Sequence, residues 1–401
     1  MDKLHIPVFS NELLVGIDSR VGEIISNLQI ELPDVRMIGI CGMSGIGKTT
    51  IARVVYDRLS NQFEGSSFLA DVRVVAKESG LISLQERLLS DILTERDTRI
   101  SDVLKGADLI SYRLHTKRIL LVLDDVDQPE QLELLAGKHS CVGRGSRIII
   151  TTTDQDLLVR HNVDQICKSK KLTNEEAFSL FNSKCFKEKH PPVEYEELSN
   201  HFLNYVAGVP LAINVLGSFL FKRTTQEWRV ALEKVKLHRT GEIDNFLQIS
   251  FDGLGAMEKE IFLHIACFLK GEDKDRVMEI LECLGYSDVE LKILIGKSFL
   301  TISSNNRLWM HNSLQQMAWE IVRQECVEEP GKRSRLWLHE DINDVLTKNT
   351  VRDYVEIYKL SIHYSILLKK NIHLSNSCSL VLRNSPIPFI LIVREQKLFK
   401  A

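Results

Sequence analysis

Residues 42–50 read Gly-Met-Ser-Gly-Ile-Gly-Lys-Thr-Thr and match G-x-x-x-x-G-K-[ST] at Gly42, Gly47, Lys48 and Thr49, with Gly45 inside the loop. Such a loop works only between a strand that delivers it and a helix that opens on it. Its glycines let backbone N–H groups turn toward a phosphate chain, and the helix N-terminus adds unpaired donors of its own. Both flanks fit. The apolar run at 35–41 predicts a buried parallel strand, and 49–59 sets Ile51, Val54, Val55 and Leu59 at helical spacing. In that setting Lys48 reaches the β and γ phosphates and the Thr49 hydroxyl is placed for Mg2+, so a nucleotide is the first ligand to expect.

The stretches that follow extend the same architecture. Residues 66–72 (SSFLADV) read as a second strand and 81–93 as a helix, giving the βαβα order of a parallel sheet with covered faces. In 118–127 (RILLVLDDVD) the unbroken apolar run predicts a strand buried on both faces, ending in paired acids where open α/β sheets bind ligands. Asp124 is then the candidate for holding Mg2+ and Asp125 for orienting or deprotonating an attacking water. Acids after a strand are more often a helix cap, and it is the phosphate loop upstream that favours the metal reading. Residues 145–154 (GSRIIITTTD) predict a fourth strand and 165–167 a fifth. Ahead of the loop, a Val15-Gly16 turn precedes an amphipathic helix carrying Val21, Ile24, Ile25 and Leu28.

From Thr173 the texture changes. Thr173 and Glu176 form a capping box before a helical run, Pro191-Pro192 marks a loop, and a helix over 195–207 stops at Gly208-Val209-Pro210. Pro210 can start the next helix because its missing N–H would have no partner there. The chain from 173 to 240 is therefore expected to be a small helical domain. Helices at 261–269 and 275–284 lead to 291–295, a pair of short strands within 299–311 and a helix over 313–325, the order of a winged helix. That last helix sets Arg323 against Glu320 and Glu325, too few cations for a phosphate-binding face.

Composition bears on partners and compartment. A formal net charge of −3 gives no sign of a nucleic-acid partner. The 8 cysteines, at 41, 141, 167, 185, 267, 283, 326 and 378, form no C-x-x-C pair, which argues against a disulfide framework or zinc site and for a reducing compartment. Neither a signal peptide nor an apolar run of about 20 residues is present, so a soluble chain with no membrane span is expected.

Taken together, LVGIDSR, GMSGIGKTT, FLADVR, ILLVLDDVD, GSRIIITTTD, GVPLAINVLGSFL, IACFLKGED and MHNSLQQMAWEIVRQE, in that order, make residues 5–350 resemble the NB-ARC module of plant disease-resistance proteins. These are the nucleotide-binding leucine-rich-repeat receptors. Asp127 closing LDDVD resembles the class whose full-length members begin with a TIR domain, and neither that domain nor the repeats are read in this sequence. The resemblance implies an α/β P-loop NTPase domain with a parallel sheet, an all-α helical domain and a winged-helix domain closing over ADP or ATP with Mg2+. It implies Val15 and Gly16 beside the adenine, Gly47, Lys48, Thr49 and Thr50 on the phosphates, and Asp124 and Asp125 as the Mg2+ and hydrolytic acids. Pro210 would pack near the base and His311 would reach the β-phosphate, although His311 beside Trp309 and Met310 reads by itself as a core histidine. The implied role is a cytoplasmic or nuclear ADP/ATP switch of immune signalling with protein partners and at most slow, regulatory ATPase turnover. A P-loop ATPase or kinase acting on a separate substrate, and a DNA-loading winged-helix ATPase, are the alternatives.

The expected division is an adenine-side segment over 1–20, the nucleotide domain over 21–172, the helical domain over 173–240, the winged helix over 241–327, a linker over 328–350 and a tail over 351–401. Two positions depart from the family. Thr153 stands where an arginine is usual, and Arg147, six residues earlier and about 20 Å away along an extended chain, is too far to replace it. Asn312 stands where the family usually has an aspartate expected to hold His311, and without that charge the restraint should be weaker. The tail, with eight Lys or Arg against three acids and no repeat period, is expected to add nothing to the nucleotide domain.

Overall fold

The computed structural model describes residues 14–93, 99–186, 192–236, 243–303, 305–348 and 350, with strands at 354–358, 378–382 and 390–395. Two compact units divide the chain: the first runs to Ile213 and takes in Ile243, and the second holds most of the chain from Asn214 onward. The division falls within the stretch read as one helical domain.

The first unit opens with α1 (Ile17–Leu28) and β1 (Arg36–Cys41), which delivers the glycine loop to α2 (Lys48–Leu59). There follow β2 (Gly65–Leu69), α3 (Val72–Leu93), α4 (Val103–Leu114), β3 (Ile119–Leu123), α5 (Pro129–Leu135), β4 (Arg147–Thr152), α6 (Gln155–Arg160) and β5 (Gln165–Lys168). The five strands pair in parallel in the order β2-β3-β4-β1-β5. Side chains alternate between two cores. Ile119, Leu121, Leu123, Ile148 and Ile150 face α3 to α6, while Leu120, Val122 and Ile149 face α1 and α2. The connections explain this. Right-handed crossovers place α2 on one face as the chain moves from β1 to β2, and place the later helices on the other as it returns. The direction reverses beside β1, so the loop that β1 delivers opens at the switch point of the sheet.

Two expectations are corrected here. The second strand ends at Leu69, not at 72, because Asp71 takes a left-handed turn (φ 53°) and Val72 already starts α3. That helix is longer than 81–93 and breaks at Gly80 (φ 81°, ψ 162°). Helices α4 and α6 were not anticipated, though Asp102 and Asp154 cap them through side-chain bonds to Leu104, Lys105 and Asp156 N–H groups.

Beyond the sheet, α7 (Asn174–Cys185), capped by the expected Thr173–Glu176 box, packs with α8 (Val193–Val206), and α9 (Pro210–Leu220) begins at the proline. The second unit continues with α10 (Thr225–Lys236), α11 (Ile243–Asp252), α12 (Ala256–His264), α13 (Lys274–Cys283) and α14 (Asp288–Gly296). Next come the hairpin β6 (Thr301–Ile302) and β7 (Leu308–Trp309), then α15 (Asn312–Glu325), β8 (Arg335–Leu336) and α16 (His339–Lys348). The run expected as one helix over 261–269 is helical only to His264 and then widens into a π turn, Ile265–Leu269. The tail supplies β9 (Tyr354–Tyr358), β10 (Cys378–Leu382) and β11 (Ile390–Glu395), ordered β10-β11-β9-β8, so β9 pairs in parallel with β8.

Candidate nucleotide site

The loop's shape follows from where its glycines sit. Gly45 has φ 74°, and a Cβ there would lie 2.5 Å from Ile243 Cδ1 and 2.9 Å from Leu211 Cβ, so only glycine lets the loop approach the start of α9. Leu211 N–H donates to the Gly45 carbonyl at 3.2 Å. Pro210, half-buried at the helix start, is thereby tied to the phosphate loop through its neighbour. Gly47 is the N-cap of α2 at φ 99°, leaving the first-turn N–H groups of Lys48, Thr49 and Thr50 directed outward from the helix end.

Lys48 is buried, and its Nζ donates to the carbonyls of Gly42 (2.7 Å) and Met43 (3.0 Å). Burial pulls its pKa down, while Asp125 and Asp124 oppose the shift and Arg73 adds to it. The paired acids separate in role. Asp124 is buried, and one oxygen, Oδ1, accepts from Thr49 Oγ1 (2.9 Å) and Thr151 Oγ1 (2.6 Å). Burial, followed by the negative charge of Asp71, pushes its pKa up to about 6 against the pull of the two hydroxyls. Asp125 has a left-handed backbone (φ 59°), donates its N–H to Thr151 Oγ1 (2.9 Å) and is ion-paired with Arg73, whose Nη2 and Nε lie 3.0 and 3.1 Å from Oδ2. The Thr151 hydroxyl thus takes a proton bond from one acid's backbone and gives one to the other's carboxylate.

A second cluster frames the Val15-Gly16 turn. Gly16 is the N-cap of α1, and Arg20 Nη1 donates to its carbonyl at 2.6 Å. The same guanidinium grips Glu176 through two bonds of 3.0 and 2.9 Å and reaches the Lys171 carbonyl at 2.8 Å. Arg20 therefore locks this turn to the cap of α7. A cleft beside it is lined by Arg20, Ile51, Cys167, Ser169 and Lys170 among others.

Arg147 has a structural task. It is fully buried and donates to the carbonyls of Leu28, Gln29, Leu32 and Asp34 at 2.6 to 2.8 Å, capping the end of α1. Thr153 is exposed. His311 lies in the second unit, exposed at the N-cap of α15, where its Nδ1 accepts from Ser313 N–H at 3.0 Å, so it is not a core histidine. The Asn312 oxygen accepts from Lys270 Nζ, which also donates to Gln315 Oε1 at 3.0 Å. Asn312 thereby contacts the IACFLKGED motif.

Sequence reasoning passed over Arg20, Asp71, Arg73 and Thr151. Each stands inside a quoted motif, but its partner is remote in sequence. Reading 66–72 as straight strand also concealed the turn that carries Asp71 and Arg73.

The model of the NB-ARC domain matches residues 17–191, and that of the Roq1-like winged-helix domain of disease resistance proteins matches 256–326. The chain therefore carries an NB-ARC domain followed by a Roq1-like winged-helix domain, and proteins similar to it are disease-resistance proteins. It is 45% identical over 336 residues to Disease resistance protein RUN1 of Vitis rotundifolia, covering 83% of this chain and 25% of that protein. To TMV resistance protein N of Nicotiana glutinosa it is 40% identical over 366 residues, covering 89% and 31%. The chain thus spans a quarter to a third of the length of these relatives. Its fold is also similar to a solved signal transduction ATPase with numerous domains, a protein from Pyrococcus horikoshii with a tetratricopeptide repeat sensor. That likeness has a TM-score of 0.50 and 16% identity, and covers 94% of this chain and 50% of that one. The parallel sheet and the phosphate loop of this NB-ARC domain form the fold of a P-loop NTPase.

Proposed function

We propose that this chain is an ADP/ATP-binding molecular switch of plant immune signalling, working inside the cell, in the cytoplasm or nucleus, with other proteins of a receptor assembly. The observation that carries it is the bond from Thr49 to the buried Asp124, which joins the helix end of the phosphate loop to the tip of β3. A hydroxyl and a buried carboxylate side by side form a hard oxygen donor set of the kind that would hold Mg2+. That ion, when bound with the nucleotide, would supply charge neutralisation at the β and γ phosphates. Gly42, Gly45, Gly47, Lys48 and Thr50 hold the phosphates in this reading, and Val15, Gly16 and Pro210 border the base.

Asp125 is the hydrolytic acid, and its ion pair with Arg73 suits slow, regulatory turnover. His311 is assigned to the phosphate side of the winged helix, and the boundaries 21–172, 173–240 and 241–327 are kept for the three domains. Among the described residues no helix is long and apolar enough to cross a membrane.

The test is Mg2+ dependence. Adding Mg2+ should tighten ADP binding to the wild-type chain at least tenfold and leave Asp124→Asn nearly unchanged. Equal Mg2+ enhancement in both would remove Asp124 from the metal site.

A further inference from the structure

Arg73 is placed by two features that act together. The turn after β2 brings it to the carboxyl edge of the sheet, where its N–H donates to the Asp125 carbonyl at 3.2 Å and its guanidinium meets the Asp125 carboxylate. Asp125 has a left-handed backbone, uncommon for a residue with a side chain, and its carboxylate is held by the arginine. The pair is partly open, with 30% of the Arg73 side chain and 20% of the Asp125 side chain exposed. Its charge is also felt at Lys48, where Arg73 helps to depress the lysine's pKa.

An arginine fork that holds carboxylate oxygens holds phosphate oxygens with the same geometry and greater charge. Arg73 follows β2, with β3 and β4 between it and the strand β1 that delivers the phosphate loop, and its guanidinium reaches the tip of β3 that carries Asp124 and Asp125. Position 153, at the tip of β4, offers an exposed threonine and no cation.

We propose that Arg73 distinguishes ATP from ADP, its guanidinium exchanging Asp125 for the γ-phosphate when ATP is bound. This rests on the nucleotide reading of the loop at 42–50 and adds the residue that reads the third phosphate. With ADP the arginine stays on Asp125. With ATP it moves to the γ-phosphate and frees the Asp125 carboxylate to face a water. One ion pair thereby couples recognition of ATP to release of the hydrolytic acid, and a ligand shifts such a two-state pair only by its difference in affinity for the two states.

The experiment is titration of the full chain with fluorescent ADP and ATP analogues, in Mg2+, for wild type, Arg73→Ala, Arg73→Lys and Asp125→Asn, with thermal melting to confirm folding. Arg73→Ala should weaken ATP at least tenfold and ADP less than threefold, and Arg73→Lys should recover part of the loss. Asp125→Asn, which releases the arginine, should raise the ATP to ADP affinity ratio at least threefold, a gain that damaged folding does not produce. Parallel loss of both nucleotides in Arg73→Ala, with an unchanged ratio in Asp125→Asn, would overturn the proposal and leave the nucleotide reading standing. Failure of the wild-type chain to bind either nucleotide would overturn that reading and this proposal with it.

Discussion

Asp124 shows how a single side chain carries a pH dependence. Its carboxyl has a pKa of about 6 in the fold against an ordinary 3.8, so the folded state favours the protonated form. The contribution is fully present below pH 4 and is lost as pH rises through about 6, a cost on the order of 3 kcal/mol at neutral pH. Asparagine cannot ionise, so Asp124→Asn should be more stable than wild type at pH 7. Its advantage in melting temperature should shrink by several degrees at pH 5. Melting curves at the two pH values check this, and an advantage that does not change with pH would show that Asp124 titrates normally. Asp124 was legible in the sequence because an apolar strand followed by acids has a local signature. Arg20 and Arg73 were not, since the partners that define them, Glu176 and Asp125, are 156 and 52 residues away.

At the scale of elements, periodicity recovered the five strands and most helices, because each is short, apolar and bounded by turn residues. It missed what depends on packing between elements. The π turn at Ile265–Leu269 reads as ordinary helix in sequence, yet in the fold the Ala266 carbonyl accepts from Gln315 Nε2 (2.9 Å) and Trp319 Nε1 (3.2 Å) of α15. Lys270, just past that turn, binds Asn312 and Gln315 on the same helix. Two motifs distant in sequence are thus one interlocked joint. Asn312→Asp would turn the neutral acceptor into an ion partner for the partly buried Lys270. A gain of about 1 kcal/mol is expected, declining in high salt. Chemical denaturation of the two chains at low and high salt measures it; no gain at low salt would show that Lys270 is already satisfied by Gln315.

On the scale of the whole molecule, a parallel sheet followed by helices and a small hairpin could be read from the order of motifs. The strand order β2-β3-β4-β1-β5 could not, because it is set by which crossovers reverse, a property of the assembled sheet. Nor was the break between compact units inside α9 legible, since that helix is apolar along its length. In the tail, β9 pairs in parallel with β8 and antiparallel with β11. What unites these observations is the proposed nucleotide site, where Thr49 of the phosphate loop meets the buried Asp124. The most direct measurement is the nucleotide released by denaturing the purified full chain, identified and quantified by chromatography. The account predicts close to one ADP or ATP per wild-type chain and almost none in Lys48→Ala. Equal occupancy in the two, or a wild-type chain that carries none and takes up none when it is supplied, would contradict it.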